Sequence, residues 1–288
     1  MKNKKSTVLL LLVFALGLSL LLYPTVSDWW NSFHQSQAIA SYAQAVADID
    51  EDDYEQYLAD ARAYNQALPG QENRYRPTDE QTAEYERLLN ITGNGIMGYV
   101  EIPTIDVTLP IYHGTSESVL QIAIGHIEGS SLPVGGEGTH CVISGHRGLP
   151  SARLFTDLDE LVIGDVFMLR VLDETLTYEV DQIRVVEPQQ LEDLEILPGE
   201  DLCTLVTCTP YGVNSHRLLV RGHRVATRAD GTRVAADALQ IDPMLVAPAV
   251  AAPILLVLLV GLLAGGRKKG PRNKGGGNSS SKGDPSSK

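Results

Sequence analysis

The hydrophobic pattern of the chain begins and ends with long uncharged segments. Residues 7–23 (TVLLLLVFALGLSLLLY) and 244–264 (MLVAPAVAAPILLVLLVGLLA) contain no charged side chain. At about 1.5 Å of helix per residue, the second segment spans a bilayer comfortably, and the first lies at the short end of the spanning range. Lysines precede the first segment and basic residues follow the second. Both termini are therefore predicted to be cytoplasmic, with the middle of the chain outside the membrane.

Between the two segments, helical periodicity gives way to strand-like runs. Residues 36–68 carry apolar positions at helical spacing, and the acidic run 50–53 within them is interpreted as a solvated face. A proline- and glycine-rich loop with a short helix over 79–89 is predicted next. Later helical inserts are predicted only over 116–124 and 151–161.

The remaining runs predict strands, because they are rich in β-branched and apolar residues and are separated by turns. They are residues 99–114, 139–145, 165–172, 176–187, 202–209 and 216–225. This many short strands with few helices predicts a mainly β fold organised as a closed or nearly closed barrel. An N-terminal helical segment precedes the barrel, and the two transmembrane helices flank it.

The domain boundaries follow these changes in pattern. We expect a cytoplasmic tail at 1–6, a transmembrane or signal-anchor helix at 7–23, an extracytoplasmic helical and loop segment at 24–95, a barrel at 96–230, a linker at 231–243, a transmembrane helix at 244–264 and a basic disordered tail at 265–288. A cleaved signal peptide is the alternative for residues 7–23. The bulky residues that follow Tyr23 offer no small-residue cleavage site and favour an uncleaved anchor.

Charged residues are also distributed unevenly between the middle and the ends of the chain. The net charge of -13 argues against nucleic-acid binding, which requires a basic surface to neutralise phosphates. Residues 6–266 contain 13 basic and 35 acidic side chains, and all 13 basic side chains are arginines. A general compositional preference for arginine is one explanation of this pattern.

Candidate catalytic residues lie where predicted strands end. Cys208 is followed by Pro210, which cannot donate to a strand ladder, so the thiol is expected at a barrel mouth. His146 directly follows another predicted strand, and Arg217 begins the next one. A thiolate attacks carbonyl carbons, an imidazole transfers protons and a guanidinium stabilises an oxyanion, so the three types together suit acyl transfer. A lone strand cysteine is more often a small buried apolar residue, and composition alone supports only a weak cysteine-enzyme hypothesis.

The other two cysteines precede these candidates by the same interval. Cys141 lies five residues before His146, and Cys203 lies five before Cys208. If the two strands are parallel and in register, the two thiols are neighbours on the face opposite the catalytic pair, because five is an odd offset. Two buried free thiols are favoured over a disulfide, since adjacent strands rarely suit disulfide geometry.

Two longer segments resemble a known family. Residues 204–224 (TLVTCTPYGVNSHRLLVRGHR) resemble the sortase signature, Thr-Leu-x-Thr-Cys followed by a strand that bears the catalytic arginine. Residues 109–161 resemble the pilus-assembling class C sortases in particular. The resemblance implies an eight-stranded sortase-type β-barrel, with Cys208 as nucleophile, His146 as general acid/base and Arg217 as oxyanion or substrate-orienting residue. The resemblance also implies that Thr207 and Thr209 help to bind the substrate or to stabilise the oxyanion.

The activity implied by the resemblance is transpeptidation. Cys208 attacks the Thr–Gly bond of an LPxTG-like sorting signal, and a lysine amine of a neighbouring pilin subunit resolves the thioester into an isopeptide bond. The implied partners are pilins or surface proteins and the membrane, and no metal or organic cofactor is expected. Exclusion of lysine from the domain, so that the enzyme does not acylate itself, is a second explanation of its arginine-only composition.

One departure from the class C pattern concerns the lid. Class C sortases usually carry an Asp-Pro-aromatic motif before the barrel, and residues 65–95 contain no Asp-Pro. Tyr75, in the sequence Arg74-Tyr75-Arg76-Pro77, is the nearest substitute as a plug over the thiol, and a plain exposed loop is the alternative. The enzyme is therefore expected to be unlidded, or to use Tyr75.

Three other functions compete with pilus assembly. A housekeeping sortase that anchors surface proteins to peptidoglycan differs only in its acceptor. A wall-anchored substrate protein would need an LPxTG-like motif just before Met244, and residues 226–243 contain none. A sortase-like scaffold without activity requires a triad that no longer assembles.

Overall fold

The structure, a computed structural model, describes residues 2–71 and 73–227. The predicted linker 231–243, the second apolar segment 244–264 and the basic tail 265–288 lie outside the described residues. The described elements are α1 (Lys2–Ala47), α2 (Glu51–Ala67), α3 (Asp79–Tyr85), β1 (Ile96–Ile102), β2 (Val107–His113), α4 (Glu117–Leu120), β3 (Ile124–His126), β4 (Thr139–Ser144), β5 (Val166–Val171), β6 (Glu174–Val186), β7 (Asp201–Thr209) and β8 (His216–Val225).

The N-terminal apolar segment is the first half of one continuous helix. Helix α1 has 46 residues and runs through Pro24 to Ala47. Within the part of the chain that the structure describes, residues Leu11–Ala47 form the one helix long and apolar enough to cross a membrane. This helix fits the membrane anchoring expected of residues 7–23, and its second half continues beyond the apolar run.

Local capping explains where the next two helices begin. Asp50 accepts a hydrogen bond from the Asp53 amide, and Glu51, Asp52 and Asp53 form the first turn of α2. The acidic run is therefore the N-terminal turn of a helix, where carboxylates complement the helix dipole. Helix α3 begins at a capping box in which Thr78 and Gln81 satisfy each other's backbone amides.

The eight strands close into a barrel in the order β1-β2-β3-β4-β7-β8-β6-β5. The pairs β2–β3 and β4–β7 are parallel, and the other strand pairs are antiparallel. Apolar side chains from all eight strands fill the interior, including Ile111, Ile143, Phe167 and Leu205. The mainly β barrel predicted from the pattern of short strands is thereby confirmed.

Gly98 shows how closely two of these strands approach. A Cβ atom at this position would lie 2.5 Å from the Arg170 carbonyl oxygen and 2.9 Å from a methyl group of Val171. Because real Cβ atoms do not approach a backbone oxygen so closely, only glycine allows β1 to pack against β5 here.

The structure differs from the sequence-based expectation at three places. The run 99–114 is two antiparallel strands, reversed by a 3-10 turn at Pro103–Ile105 and by Asp106 in a left-handed conformation (φ 52°). The three-residue strand β3 has no counterpart among the predicted strands, and the helix expected over 116–124 is present in a shorter form as α4. Residues 151–161 form turns and a short 3-10 segment at Leu158–Glu160 instead of the predicted helix, because the Phe155 amide donates to the His146 carbonyl rather than to a helical neighbour.

The two additional cysteines are neighbours inside the barrel. Strands β4 and β7 are parallel with Cys141 directly beside Cys203, and both thiols are buried and free. Burial and the adjacent thiol raise the pKa of Cys203 well above its usual value. The expected neighbouring free thiols are confirmed.

Tyr42 joins the second half of α1 to the barrel. This side chain is 0% exposed, and its hydroxyl donates to the Met97 carbonyl (3.0 Å) while accepting from the Leu172 amide (2.8 Å). One side chain of α1 therefore provides the hydrogen-bond partner of a carbonyl in β1 and of an amide in the β5–β6 turn.

Removal of this hydroxyl tests the docking of α1. We expect Tyr42→Phe to lower the free energy of unfolding by about 1–3 kcal/mol, because a buried amide and a buried carbonyl lose their partner. Urea denaturation of the detergent-solubilised chain measures the change. Tyr57→Phe is the control, since no hydrogen bond of the Tyr57 hydroxyl is found within residues 2–71 and 73–227; equal losses in both variants would contradict the assignment.

Candidate active site

The ends of β4 and β7 bring His146 and Cys208 to the same rim of the barrel. The two strands are parallel, with Ser144 beside Val206, and the Gly145 amide donates to the Val206 carbonyl at 3.0 Å. His146 is the next residue of the chain after Gly145, so it lies level with the last residues of β7. Both His146 and Cys208 are half-buried, which leaves each accessible from solvent.

Arg217 faces Cys208 across the next strand pair. The two residues are direct partners in the antiparallel pairing of β7 with β8. Side chains of such partners point to the same face with Cβ atoms about 4.5–5.5 Å apart. The Arg217 guanidinium donates to the carbonyls of Asn214 (3.3 Å) and His216 (3.1 Å), and among the described residues it forms no ion pair with a carboxylate. Within the described residues its positive charge therefore has no carboxylate partner, and its two hydrogen bonds are to the loop between β7 and β8 and to the start of β8.

Thr207 and Thr209 alternate to the other face of β7. Thr207 is 1% exposed, and its hydroxyl donates to the Gly145 carbonyl at 2.8 Å. This bond holds the residue before His146 in place from inside the barrel. Thr209 accepts a long hydrogen bond from Arg147 at 3.4 Å. The role of these threonines toward substrate or oxyanion stays a prediction, and the contacts described are with the loop that carries His146.

The loops at this rim are joined by two residues, Tyr211 and Arg147, that were not among the candidates predicted from the sequence. Tyr211, three residues after Cys208, packs its ring against the backbone of Gly148, where a Cβ atom would lie 2.5 Å from the ring. Arg147 forms an ion pair with Asp159. The only sequence signals of these contacts are a glycine two residues after the histidine and an aromatic residue after Pro210.

The structure separates the seven histidines into two groups. His113, His126 and His140 have ring nitrogens bonded to backbone carbonyls inside the fold. Burial lowers the pKa of His140 to about 4 and also lowers the pKa of His113. Burial therefore favours the neutral form of His113 and His140, and all three rings are parts of the scaffold. His146 differs from them in its half-exposed position beside the end of β7.

A loop along the outside of the barrel lies beside this site. Residues 187–200 connect β6 to β7, and Leu194 from this loop packs on Val142, Val206 and neighbouring apolar side chains. The Glu195 carbonyl accepts from Nδ1 of His140 at 2.8 Å. Val206 and Cys208 share one face of β7, so the loop covers the same outer face that ends at the thiol.

Tyr75 contacts this outer loop. Its hydroxyl donates to the Leu194 carbonyl at 3.4 Å, and the Arg74 guanidinium lies over its ring and donates to the same carbonyl at 3.0 Å. Arg74 also forms an ion pair with Glu195. The segment before α3 is thus attached to the outer face of the barrel, and the polar contacts of Tyr75 are with Leu194 rather than with the Cys208–Arg217 pair.

The side chains at the rim have the chemistry of acyl transfer and lack that of a metal centre. Within residues 2–71 and 73–227, no three His, Cys, Asp or Glu side chains converge as metal ligands. The rim instead carries a thiol, an imidazole and a guanidinium, which are the side-chain types that can supply a nucleophile, a proton-transfer group and a positive charge for an oxyanion.

Comparison with known proteins agrees with this geometry. Residues 100–225 match the family model described as the sortase domain. The structure of sortase C1 from Streptococcus agalactiae is 53% identical, with a TM-score of 0.65, and the match covers 67% of this chain and 100% of that one. The structure of sortase C1 of GBS pilus island 1 is 44% identical, with a TM-score of 0.63, and the match covers 69% of this chain and 96% of that one.

A curated relative is more distant. The sortase A of Streptococcus agalactiae serotype III is 30% identical over 117 residues, which are 40% of this chain and 47% of the relative. The aligned region thus spans about half the length of that protein. The chain belongs to the sortase family of cysteine transpeptidases, and its structural neighbours assign it to class C.

Truncation of Tyr75 tests whether its ring controls access to the thiol. Because Tyr75 is bonded to the outer loop, we expect Tyr75→Ala to change the rate of sorting-signal peptide cleavage by less than threefold. A fluorogenic peptide assay under single-turnover conditions measures this rate. A large increase would show that the ring acts as a working lid over Cys208.

Proposed function

We propose that the chain is a membrane-anchored pilus sortase that cleaves LPxTG-like sorting signals and joins pilin subunits by lysine isopeptide bonds. The observation that carries the proposal is the direct pairing of Cys208 with Arg217 at the rim where His146 follows β4. The similarity to sortase C1 structures along their whole length supports the pilus role.

The proposed reaction proceeds through a thioester. The Cys208 thiolate attacks the carbonyl carbon of the Thr–Gly bond, and Arg217 stabilises the negative oxygen that forms. His146, in its imidazolium form, donates a proton to the departing glycine amine as the C–N bond breaks. A lysine amine then attacks the thioester, His146 accepts its proton, and the Cys208 thiolate leaves.

We also propose a two-pass topology with both termini in the cytoplasm. Helix α1 supports the first crossing, since it includes residues 7–23. The second crossing rests on the uncharged segment 244–264 and on the basic residues that follow it. The barrel would then face the outside, where sorting-signal substrates are available to it.

Anchoring of surface proteins to peptidoglycan is the alternative function. The weaker and shorter match to a sortase A makes it second to pilus assembly. Acceptor competition separates the two functions: a pilin subunit with a reactive lysine and a peptidoglycan precursor are offered together to the acylated enzyme. Exclusive transfer to the precursor would overturn the pilus role.

Substitution of the proposed nucleophile tests the reaction. We expect Cys208→Ala to reduce cleavage of an LPxTG peptide at least a thousandfold and to abolish the thioester adduct seen by mass spectrometry, because no other described thiol lies at the rim. Cys203→Ala is the matched control, since it removes a buried thiol of the same strand. Residual thioester formation in Cys208→Ala would refute the assignment.

Introduction of a lysine near the site tests whether the lack of lysine in residues 6–266 protects the enzyme from acylating itself. Val213 is 69% exposed in the loop between Cys208 and Arg217, so the amine of Val213→Lys would reach the acyl-enzyme. We expect this variant to accumulate a covalent self-adduct of the sorting-signal fragment, detected by peptide mapping. Glu137→Lys adds an exposed lysine before β4 at the opposite end of the barrel and is the control; absence of adducts in both variants would favour a compositional explanation.

A further inference from the structure

The half of α1 beyond the apolar run contacts the loop that follows His146. The Asn31 side-chain amide donates to the Ser151 carbonyl at 2.8 Å. A carboxylate oxygen of Asp28 accepts from the Arg153 amide at 2.7 Å. Both contacts join a side chain of α1 to a backbone group more than a hundred residues later in the chain. They therefore fix the backbone path of the loop and do not depend on the side chains of the loop.

The same loop is bonded back to His146. The Phe155 amide donates to the His146 carbonyl at 3.1 Å. The Thr156 hydroxyl donates to the Arg153 carbonyl and accepts from the Gly148 amide. Hydrogen bonds therefore lead from Asp28, through the backbone of Arg153 and the Thr156 hydroxyl, to Gly148, and the neighbouring Phe155 amide is bonded to His146 itself.

No regular secondary structure holds this loop from within. Residues 145–157 form turns and one isolated bridge between Leu149 and Ala152, and Leu154 has a positive φ of 40°. A segment of this kind takes its conformation from hydrogen bonds to the partners around it as well as from those within it. The contacts from α1 are two of these partners.

The two contacts also lie close to the predicted membrane. Asp28 and Asn31 follow Tyr23, the last residue of the apolar run, by five and eight residues of continuous helix, which is about 8–12 Å along the axis. The other hydrogen bonds of α1 with the barrel, from Gln35 to the Ile122 carbonyl and from Tyr42 to the Met97 carbonyl, lie further along the helix. The loop after His146 is thus the part of the barrel domain bonded nearest to the bilayer end of α1.

We propose that Asp28 and Asn31 are positioning residues, through which the membrane-anchoring helix holds the His146 loop in its catalytic geometry. The inference rests on the proposed role of His146. It assigns α1 a part in catalysis beyond tethering, because loss of either contact lets the loop leave the position in which the imidazole adjoins Cys208.

The test uses the full chain in lipid nanodiscs and four single variants. Asp28→Ala removes the acceptor for the Arg153 amide, whereas Asp28→Asn keeps a carbonyl oxygen in the same position. Asn31→Asp has nearly the same shape but loses the donor to the Ser151 carbonyl. Gln35→Ala is the matched control, because it removes a hydrogen bond between α1 and the barrel that does not involve the loop.

We expect the kcat of peptide cleavage to fall five- to tenfold in Asp28→Ala and Asn31→Asp, with KM within twofold of the parent chain. Asp28→Asn and Gln35→Ala are expected to stay within twofold in both constants. A fall in kcat alone is the signature of positioning, because fewer molecules hold the imidazole in place while peptide binding is unchanged. Unchanged kcat in Asp28→Ala, a rise in KM instead, or an equal loss in Gln35→Ala would overturn the inference.

A second measurement is independent of the sorting-signal substrate. The rate of Cys208 alkylation by iodoacetamide at pH 7 reports whether the imidazole adjoins the thiol. We expect at least a threefold lower rate in Asp28→Ala than in the parent chain, and no change in Asp28→Asn. If the parent chain cleaves no LPxTG peptide, the proposed function fails, and the alkylation rates still decide the positioning role. If cleavage is normal and neither measurement changes in Asp28→Ala, the positioning role alone fails.

Discussion

The parallel pairing of β4 with β7 is the constraint on which the site depends. Six consecutive residues of each strand are in register, so both strands end at the same rim. Side chains alternate across a strand, and one register therefore buries Cys141 against Cys203 and turns Cys208 to the outer face. A slip of one residue in this pairing would turn Cys208 toward the interior. Burial of apolar residues on the inner face makes such a slip costly, so core packing sets the position of the thiol.

Hydrogen bonds of buried groups also hold the ends of β4 and β7 in position. The bonds from Thr207 to the Gly145 carbonyl and from the Gly145 amide to β7 hold the end of β4 from two sides. Buried hydrogen bonds of this kind are lost only at a large cost, because the groups left behind find no water. The residues that would meet a substrate are half-exposed, while the residues beneath them are packed and bonded.

In the proposed topology, helix α1 connects this geometry to the membrane. Its apolar half suits a bilayer, and its second half is bonded to the His146 loop and to β1. Because the helix is continuous, the orientation of the barrel follows from the direction of the helix as it leaves the bilayer. The segment that contains Tyr75 is bonded to the outer loop 187–200. This loop packs on Val206, on the same outer face of β7 as Cys208. Membrane attachment, the loop after His146 and the barrel rim are thus parts of one bonded unit.

The sequence alone determined the fold class and the candidate residues, because short contiguous segments of the chain carry the signals for both. Runs of β-branched residues between turns indicate strands, and the segment around Cys208 carries a recognisable signature that also includes Arg217. The three-residue strand β3 and the turns of residues 151–161 were missed, since each is stabilised by partners far away along the chain. The sequence also could not show which of the other histidines are buried in the scaffold, or that Thr207 is bonded to Gly145. Those features depend on register and burial, which exist only when distant strands come together, and the tertiary structure decided them.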